Sequence, residues 1–559
     1  MHKKNYLTQL FEFLNPYKSK LFIILVLFFL TGIMSFGLPL LFKDLLDKGL
    51  SEKNFTLSIW LSILIFLLTI VSYIIELLKE RIRIFIKSDL SKKLYATFIN
   101  KILSCKIESL KTSTETYNNM DTDIQNVLAI MDNDIFFAIT QIFSIIGGII
   151  GVFYINWKLA CIVFLLLPIK YFISVIISKK REKISVEKIE EKSSFSVWCE
   201  NLINSIKSIK LLVLNQKIGK EFEETRSKFI QLDNYLDRLS AFNELIDGVI
   251  MASLTAVIYI LGSILFFLNQ ISIGGIFSFS TYFINISAPI TAIMNIKFII
   301  AGIKPSAERL FSFLDIEDEK EGIININEKE FSMLEFRNLD FSYKSSRDLH
   351  VKQIQKMCFK FSRGEKVAIL GKNGMGKSTL LNLLLRFYTP ESGEILLNNI
   401  EISKYNLSQY RKLFAVVDQN LYLFDDSIVG NIEIEKPIYS DSMIQKLSID
   451  SLIKKYENKS IGINGSSLSL GEKQKIAIAR AINLNAEIYI FDEPTSSIDS
   501  LTINNFWSLI INELNDKTVL CVTHNYSNLQ IFDKILIIKD GQGVYFGDYS
   551  ENMIQMHLL

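Results

Sequence analysis

Hydrophobic positions are unevenly spread along the chain. Up to about residue 305 they gather in six runs, 21–42, 57–78, 135–155, 159–177, 249–268 and 274–300. Each run holds about 19–27 residues, enough to cross the ~30 Å hydrocarbon core of a bilayer as an α-helix. Buried core helices are the plainer alternative, but six runs of this length in one half of a chain predict a membrane bundle. From about residue 333 the pattern changes to short apolar strands alternating with amphipathic stretches, the layout of a soluble α/β domain. The predicted organisation is therefore a membrane domain over 1–305, a linker over 306–332 and an α/β domain over 333–559.

The polar connections in the first half alternate in length. Asn156, Trp157 and Lys158 alone join the third run to the fourth, and a few uncharged residues near 269–274 join the fifth to the sixth. By contrast, about 56 residues separate the second run from the third and about 70 the fourth from the fifth. These long connections carry Arg81, Arg83, Lys87, Lys92 and Lys93, then Lys179, Lys180, Arg181 and Lys183. Lysine and arginine collect on the cytoplasmic side of membrane proteins. The long connections, the basic N-terminus and the α/β domain are therefore expected inside, with the long connections continuing as helices. One charge stands within a run: Lys170, about eleven residues into the fourth, is roughly 16 Å deep at 1.5 Å per residue. It is a candidate for a substrate cavity, favouring an anionic or zwitterionic substrate; the plainer reading is a lysine that snorkels to the interface or is simply solvated. Glu244 and Asp247, just before the fifth run, are expected at the interface or in the cytosol.

Composition narrows the function classes. Net charge is +2 over 559 residues, which gives no bulk electrostatic case for nucleic acid. Five scattered cysteines, Cys105, Cys161, Cys199, Cys358 and Cys521, include no C-x-x-C pair, so neither a disulfide framework nor a zinc site is expected.

The second half carries the chemistry. Gly371, Lys372, Asn373, Gly374, Met375, Gly376, Lys377 and Ser378 fit G-x-x-x-x-G-K-[ST]. An apolar strand pattern, 367–370, precedes them and a helix pattern comes after, the context this phosphate-binding loop demands. Its glycines let backbone N–H groups curl around phosphate, Lys377 reaches the β- and γ-phosphates, and the Ser378 hydroxyl can ligate Mg²⁺. A second apolar strand, 488–491, ends in Asp492 and Glu493. Asp492 is placed to hold Mg²⁺ through water, and Glu493 to orient or deprotonate an attacking water. His524 follows a third strand, 518–523, and can hydrogen-bond a γ-phosphate. Upstream, Ser469 and Glu472 read as the start of a helix with spare N–H groups, suited to an anion but without a nucleophile, acid or metal ligand beside it.

Together these residues resemble one family. The chain looks like an ABC transporter half of the type IV exporter architecture, shared by lipid flippases, multidrug exporters and peptide exporters. The resemblance covers nearly the whole chain and is most specific in the second half. There Tyr343 matches the aromatic that stacks on adenine, and Gly371 to Thr379 match Walker A. Gln419 matches the Q-loop glutamine that contacts Mg²⁺, and Asp492 and Glu493 match Walker B and the catalytic glutamate. Asp499 matches the D-loop aspartate and His524 the switch histidine. Leu468 to Gln474 match the signature, and Leu468, Ser469, Leu470, Gly471 and Glu472 stand where it usually reads L-S-G-G-Q; Leu470 replaces a glycine, which adds bulk and restricts φ. The resemblance implies that the signature acts in trans, closing over ATP held by a partner chain.

The resemblance further implies ATP-driven export or flipping of a hydrophobic or amphipathic substrate, by two half-transporters in a bacterial inner membrane, with ATP and Mg²⁺ as cofactors. A homodimer is the simpler expectation because one chain carries a complete motif set; the catalytic half of a heterodimer stays open. A regulatory membrane subunit that gates a partner without transporting is the alternative from another class. Coupling helices are expected around 104–123 and 201–215, and the helical subdomain between 432 and 468 is about ten residues short of the usual length.

Overall fold

The computed structural model describes residues 12–109, 113–287, 303–326, 331–343, 352–434, 441–457, 459–524, 528–552 and 556. It divides into two compact units, one formed by Met1–Leu103 with Lys111–Ile316 and the other by Ser104–Leu110 with Glu317–Leu559.

The first unit is helical. Its main helices are α1 (Lys18–Asp44), α2 (Phe55–Ser104), α3 (Ser113–Leu128), α4 (Asn133–Ile155), α5 (Trp157–Asn204), α6 (Ile206–Leu211), α7 (Asn215–Phe267) and α8 (Ile273–Ser287). Among the described residues four helical stretches are long and apolar enough to cross a membrane: Glu12–Ser51, Phe55–Ser104, Met120–Ile155 and Asn215–Phe267. The run 159–177 lies in the first part of α5, and α8 carries the start of the run 274–300, whose remainder lies outside the described residues. Helices α2, α5 and α7 have 50, 48 and 53 residues. At 1.5 Å per residue each is roughly 75 Å long, more than twice a bilayer core. The polar connections are therefore continuous with the apolar runs. Asn156 ends α4 and starts α5, its side chain accepting the N–H groups of Lys158 and Leu159. Between α5 and α7, within the expected coupling segment 201–215, short α6 leads into a turn where Leu211, Leu212 and Val213 are exposed.

Small residues set how closely the helices approach. A Cβ at Gly147 of α4 would sit 2.8 Å from the Gly32 carbonyl of α1, and one at Gly151 would enter the Tyr282 ring of α8. This four-residue spacing of glycines lets backbones meet where the hydrophobic effect supplies little drive.

The Lys170 side chain is 1% exposed, and its amine lies 2.9 Å from the Asp247 carboxylate on α7. A cation at that depth is tolerated only when paired, and Asp247 supplies the partner from the next long helix.

The second unit holds two sheets. One is antiparallel, ordered β2-β1-β4-β5, with β1 (Met333–Ser342), β2 (Lys352–Ser362), β4 (Ser392–Leu397) and β5 (Ile400–Glu401). The other is ordered β10-β9-β3-β8-β7-β6, from β3 (Lys366–Leu370), β6 (Phe414–Val417), β7 (Ile488–Asp492), β8 (Thr518–Val522), β9 (Lys534–Lys539) and β10 (Gln542–Gly547). Strands β9, β3, β8, β7 and β6 run parallel, and β10 is antiparallel to β9. The central strands are buried on both faces, which is why they read as unbroken apolar runs. Ala368, Leu370, Tyr489 and Phe491 enter one core; Val367, Ile369, Ile488 and Ile490 enter the other. The helices of this unit include α9 (Lys377–Leu384), α10 (Asp441–Lys446), α11 (Ile449–Tyr456), α12 (Leu470–Asn483) and α13 (Ser500–Asn512).

Candidate nucleotide site

Strand order builds the site. β3 lies beside β8 and β8 beside β7, so the loops after these three strands open along one carboxyl edge of the sheet, where ligands of open α/β sheets bind. The loop after β3 is the glycine loop, the residue after β7 is Glu493, and His524 follows β8. At Gly374 and Gly376 φ is +81° and +97°, a region that side chains with a Cβ rarely adopt. The loop then enters α9 at Lys377.

Lys377 is buried, with its amine 2.7 Å from the Gly371 carbonyl and 3.1 Å from that of Lys372. Burial lowers its pKa, opposed by the charges of Glu493 and Asp492. Its amine also lies 3.4 Å from His524 Nε2. The Ser378 hydroxyl donates to Asp492 Oδ2 at 3.0 Å. Burial at the end of β7 pushes the Asp492 carboxyl above the usual range, with the Ser378 hydrogen bond pulling the other way. Glu493 adopts φ +53°, a left-handed backbone uncommon for a residue with a side chain. Its carboxylate lies between His524 Nε2, at 2.9 Å from Oε1, and Gln419 Nε2, at 3.4 Å from Oε2.

Lys377, Ser378, Gln419, Asp492 and Glu493 border a cavity of about 350 Å³ that Asn373, Gly374, Thr379 and Gln353 also line. The Tyr343 hydroxyl donates to Thr379 Oγ1 at 3.2 Å, beside the mouth of the loop, and its ring meets Tyr388 edge-on at 5.1 Å. Ser378, Asp492 and Gln419 offer a hydroxyl, a carboxylate and an amide oxygen. Among the described residues no group of three or more His, Cys, Asp or Glu forms a metal cage. A few hard oxygen donors beside a phosphate loop fit Mg²⁺, which keeps its waters and leans on substrate phosphates.

The signature residues sit elsewhere. None of Ser469, Leu470, Gly471 and Glu472 lines that cavity. Ser469 caps α12 in a reciprocal box: the Ser469 N–H donates to Glu472 Oε2 at 2.7 Å, and the Glu472 N–H donates to the Ser469 hydroxyl at 3.3 Å. Glu472 also accepts from Lys455 of α11 at 2.9 Å. Burial raises its pKa, but these hydrogen bonds outweigh it and the net shift is downward. Leu470, in the glycine's place, is 59% exposed at the first turn. Gly471 is fixed by contact: a Cβ there would stand 2.5 Å from the Ser497 carbonyl. Asp499 caps α13 by accepting from the Thr502 N–H at 2.9 Å, and pairs with Lys475 at 2.9 Å. The Thr502 N–H and Lys475 hold its carboxyl far below the ordinary range.

One signature residue reaches the site from within α12. The Gln474 side chain donates to the Glu493 carbonyl at 2.9 Å and accepts from the Ser497 N–H at 3.2 Å. The sequence places it within the signature match, 468–474, but assigns it no role of its own.

Comparison with known proteins agrees with this geometry. Residues 21–290 match the ABC transporter transmembrane region family model, and residues 354–496 match the ABC transporter family model. The chain is 28% identical over 583 residues to an ATP-dependent lipid A-core flippase of Wigglesworthia glossinidia brevipalpis, covering 99% of this chain and 97% of that protein. It is 29% identical over 565 residues to a putative export ATP-binding/permease protein of Rickettsia typhi, covering 98% and 96%. In fold it resembles a bacterial Atm1-family ABC exporter with ATP bound, with a TM-score of 0.79 at 18% identity over 97% of this chain and 98% of that one. The chain belongs to the ABC transporter family: it is an exporter half, a membrane domain fused to one ATP-hydrolysing domain, and it couples ATP hydrolysis to moving a substrate across the membrane.

Proposed function

We propose that two copies of this chain form an inner-membrane exporter of an amphipathic, lipid-like substrate, with ATP bound between the phosphate loop of one copy and residues 468–472 of the other. The observation that carries the ATP chemistry is that Lys377, Ser378, Gln419, Asp492, Glu493 and His524 border or adjoin one cavity within hydrogen-bond reach of one another. In this reading Tyr343 stacks on adenine. Lys377 offsets the charge of the β- and γ-phosphates, and Glu493 orients and deprotonates the attacking water while His524 and Gln419 hold its carboxylate. Ser378, Asp492 and Gln419 would hold Mg²⁺, which would supply charge neutralisation at the phosphates. Ser469, Leu470 and Gly471 present the start of α12 to the partner's γ-phosphate.

The lipid-like substrate rests on the lipid A-core flippase, a relative over nearly its whole length. A cytoplasmic ATP-binding domain rests on the lysines and arginines of the long connections. A homodimer rests on one chain holding the complete set of ATP-site and signature residues. A full population switch needs about 5.5 kcal/mol of differential affinity for the closed state, which two shared phosphate sites are suited to provide.

The test is ATP hydrolysis by the chain purified alone in lipid nanodiscs, with Glu493→Gln as control. Hydrolysis that falls by at least ~10²-fold in Glu493→Gln, the scale of a lost general base, is the expected result. No hydrolysis by the chain alone, or the same rate in Glu493→Gln, overturns the homodimeric ATPase.

A further inference from the structure

The membrane unit contains a cavity of about 410 Å³ bordered by α1, α2, α4 and α8. Each of these helices brings polar residues one turn apart: Thr31 and Ser35, Ser72 and Glu76, Thr140 and Ser144, Thr281 and Asn285. Spacing of i, i+4 puts both members of a pair on one helix face, so four apolar helices turn a polar stripe toward the same space.

Four of the hydroxyls there have already used their protons. Thr31 donates to the Phe28 carbonyl at 2.7 Å, Ser72 to Thr69 at 2.7 Å, Thr140 to Phe136 at 3.0 Å and Thr281 to Phe277 at 3.1 Å. A hydroxyl has one proton and two lone pairs, so these groups act toward the cavity as acceptors. Ser35 and Ser144 pair with each other at 3.1 Å.

Charge is divided in the same sense. The Lys79 amine lies 2.5 Å from Glu76 Oε2 and donates to Thr140 at 3.2 Å. The lysine side chain is 3% exposed and the glutamate 50%. Lys170 is likewise enclosed behind Asp247. In both pairs the base is shut away and the acid is the accessible member. Tyr73, exposed and next to the Glu76 stripe, lines the cavity with Phe42, and aromatic faces attract cations.

We propose that this cavity seats the ammonium head of the transported amphiphile, with Glu76 as its counter-charge, Tyr73 as its aromatic wall and the threonine and serine oxygens as acceptors. The proposal rests on the exporter function proposed for this chain and narrows its substrate class: the charged lining group and most of the hydroxyl oxygens complement an ammonium head, whereas a phosphate head would face a carboxylate with only the Asn285 amide and one proton of the Ser35–Ser144 pair as donors.

The test is calorimetric binding of decyltrimethylammonium and of decyl phosphate to the full chain in nanodiscs, with empty discs subtracted for partitioning. The expected result is at least ~10-fold tighter binding of the ammonium probe, about 1.4 kcal/mol, with the preference lost in Glu76→Gln. Tyr73→Leu is the second variant because it leaves the Glu76–Lys79 pair intact; it weakens the ammonium probe more than the phosphate probe. Equal or tighter binding of decyl phosphate by the wild-type chain overturns the proposal. So does a preference unchanged in both variants. Discs of phosphatidylglycerol are compared with discs containing phosphatidylethanolamine. A weaker apparent affinity in the latter assigns the seat to a lipid head, and an unchanged affinity assigns it to a free amphiphile. ATPase in the same discs separates the two readings: Glu493-dependent hydrolysis without head-group preference sinks the cavity proposal alone, and head-group preference without such hydrolysis sinks the ATPase alone.

Discussion

Asp492 shows what the ATP site requires of single residues. It is 6% exposed at the end of β7, and burial holds its pKa above the ordinary value of 3.8. An acid raised in the folded state contributes stability only while protonated. That contribution is present below the unfolded value and is lost as pH rises from there through the raised folded value. At neutral pH the ionised carboxylate is therefore carried against stability. Asp492→Asn is expected to raise the unfolding temperature and flatten its decline with pH over that window, while ATP hydrolysis collapses. Calorimetric scans at a series of pH values, beside ATPase assays, check both halves. Gly471 makes the opposite demand, since a methyl group there must push the Ser497 backbone away. Gly471→Ala is expected to destabilise by about 1–3 kcal/mol, the usual scale of overpacking, and to slow hydrolysis at least ~10-fold by displacing the residues around Asp499. Most of these side chains were legible in sequence because phosphate chemistry dictates residue types at fixed spacing. The role of Gln474, a member of the signature match, was not, because it is set by what two distant loops bring to it.

At the scale of elements, hydropathy found the apolar cores of the helices and missed what joins them. The length of a run is fixed by the bilayer, so it shows in composition. The pairing of Lys170 with Asp247 depends on the relative rotation of α5 and α7, which no single run encodes. It gives the lysine a partner on a neighbouring helix, where the sequence offered only a substrate-facing cation or a snorkelling or solvated one. Removing one partner of such a pair leaves an uncompensated charge, and Lys170→Met or Asp247→Leu alone is expected to destabilise by about 3–5 kcal/mol. The double variant, with neither charge, is expected to recover most of that. Unfolding in detergent micelles as a double-mutant cycle reads the coupling, and additive losses would show the pair to be inert. The strands are the contrasting case. The cores of β3, β7 and β8 were readable because parallel strands buried on both faces must be continuously apolar. Their order in the sheet, which brings Asp492, Glu493 and His524 beside Lys377, depends on pairing between strands far apart in the chain, which no single strand's pattern carries.

At the scale of the whole molecule, the division into a membrane unit and an ATP-binding unit follows from composition, but the chain does not part at one point. Ser104–Leu110 belongs with the second unit: Cys105 bridges to Asp318, and the Glu319 N–H donates to the Ser104 carbonyl at 2.7 Å. A segment from the end of α2 is thus stitched to the start of the ATP-binding unit, more than 200 residues later in the chain. The Gln474 amide has a comparable consequence for timing. It grips the Glu493 carbonyl with one end and the Ser497 N–H with the other, and Ser497 is the residue against which Gly471 is wedged. In the proposed dimer the face offered to one nucleotide and the base acting on the other are therefore linked by a single side chain, and the pair of sites works as an interlock rather than as two independent engines. Hydrolysis should rise sigmoidally with ATP concentration, and in Gln474→Ala the curve should relax toward a hyperbola, because the link that lets one site wait for the other is gone.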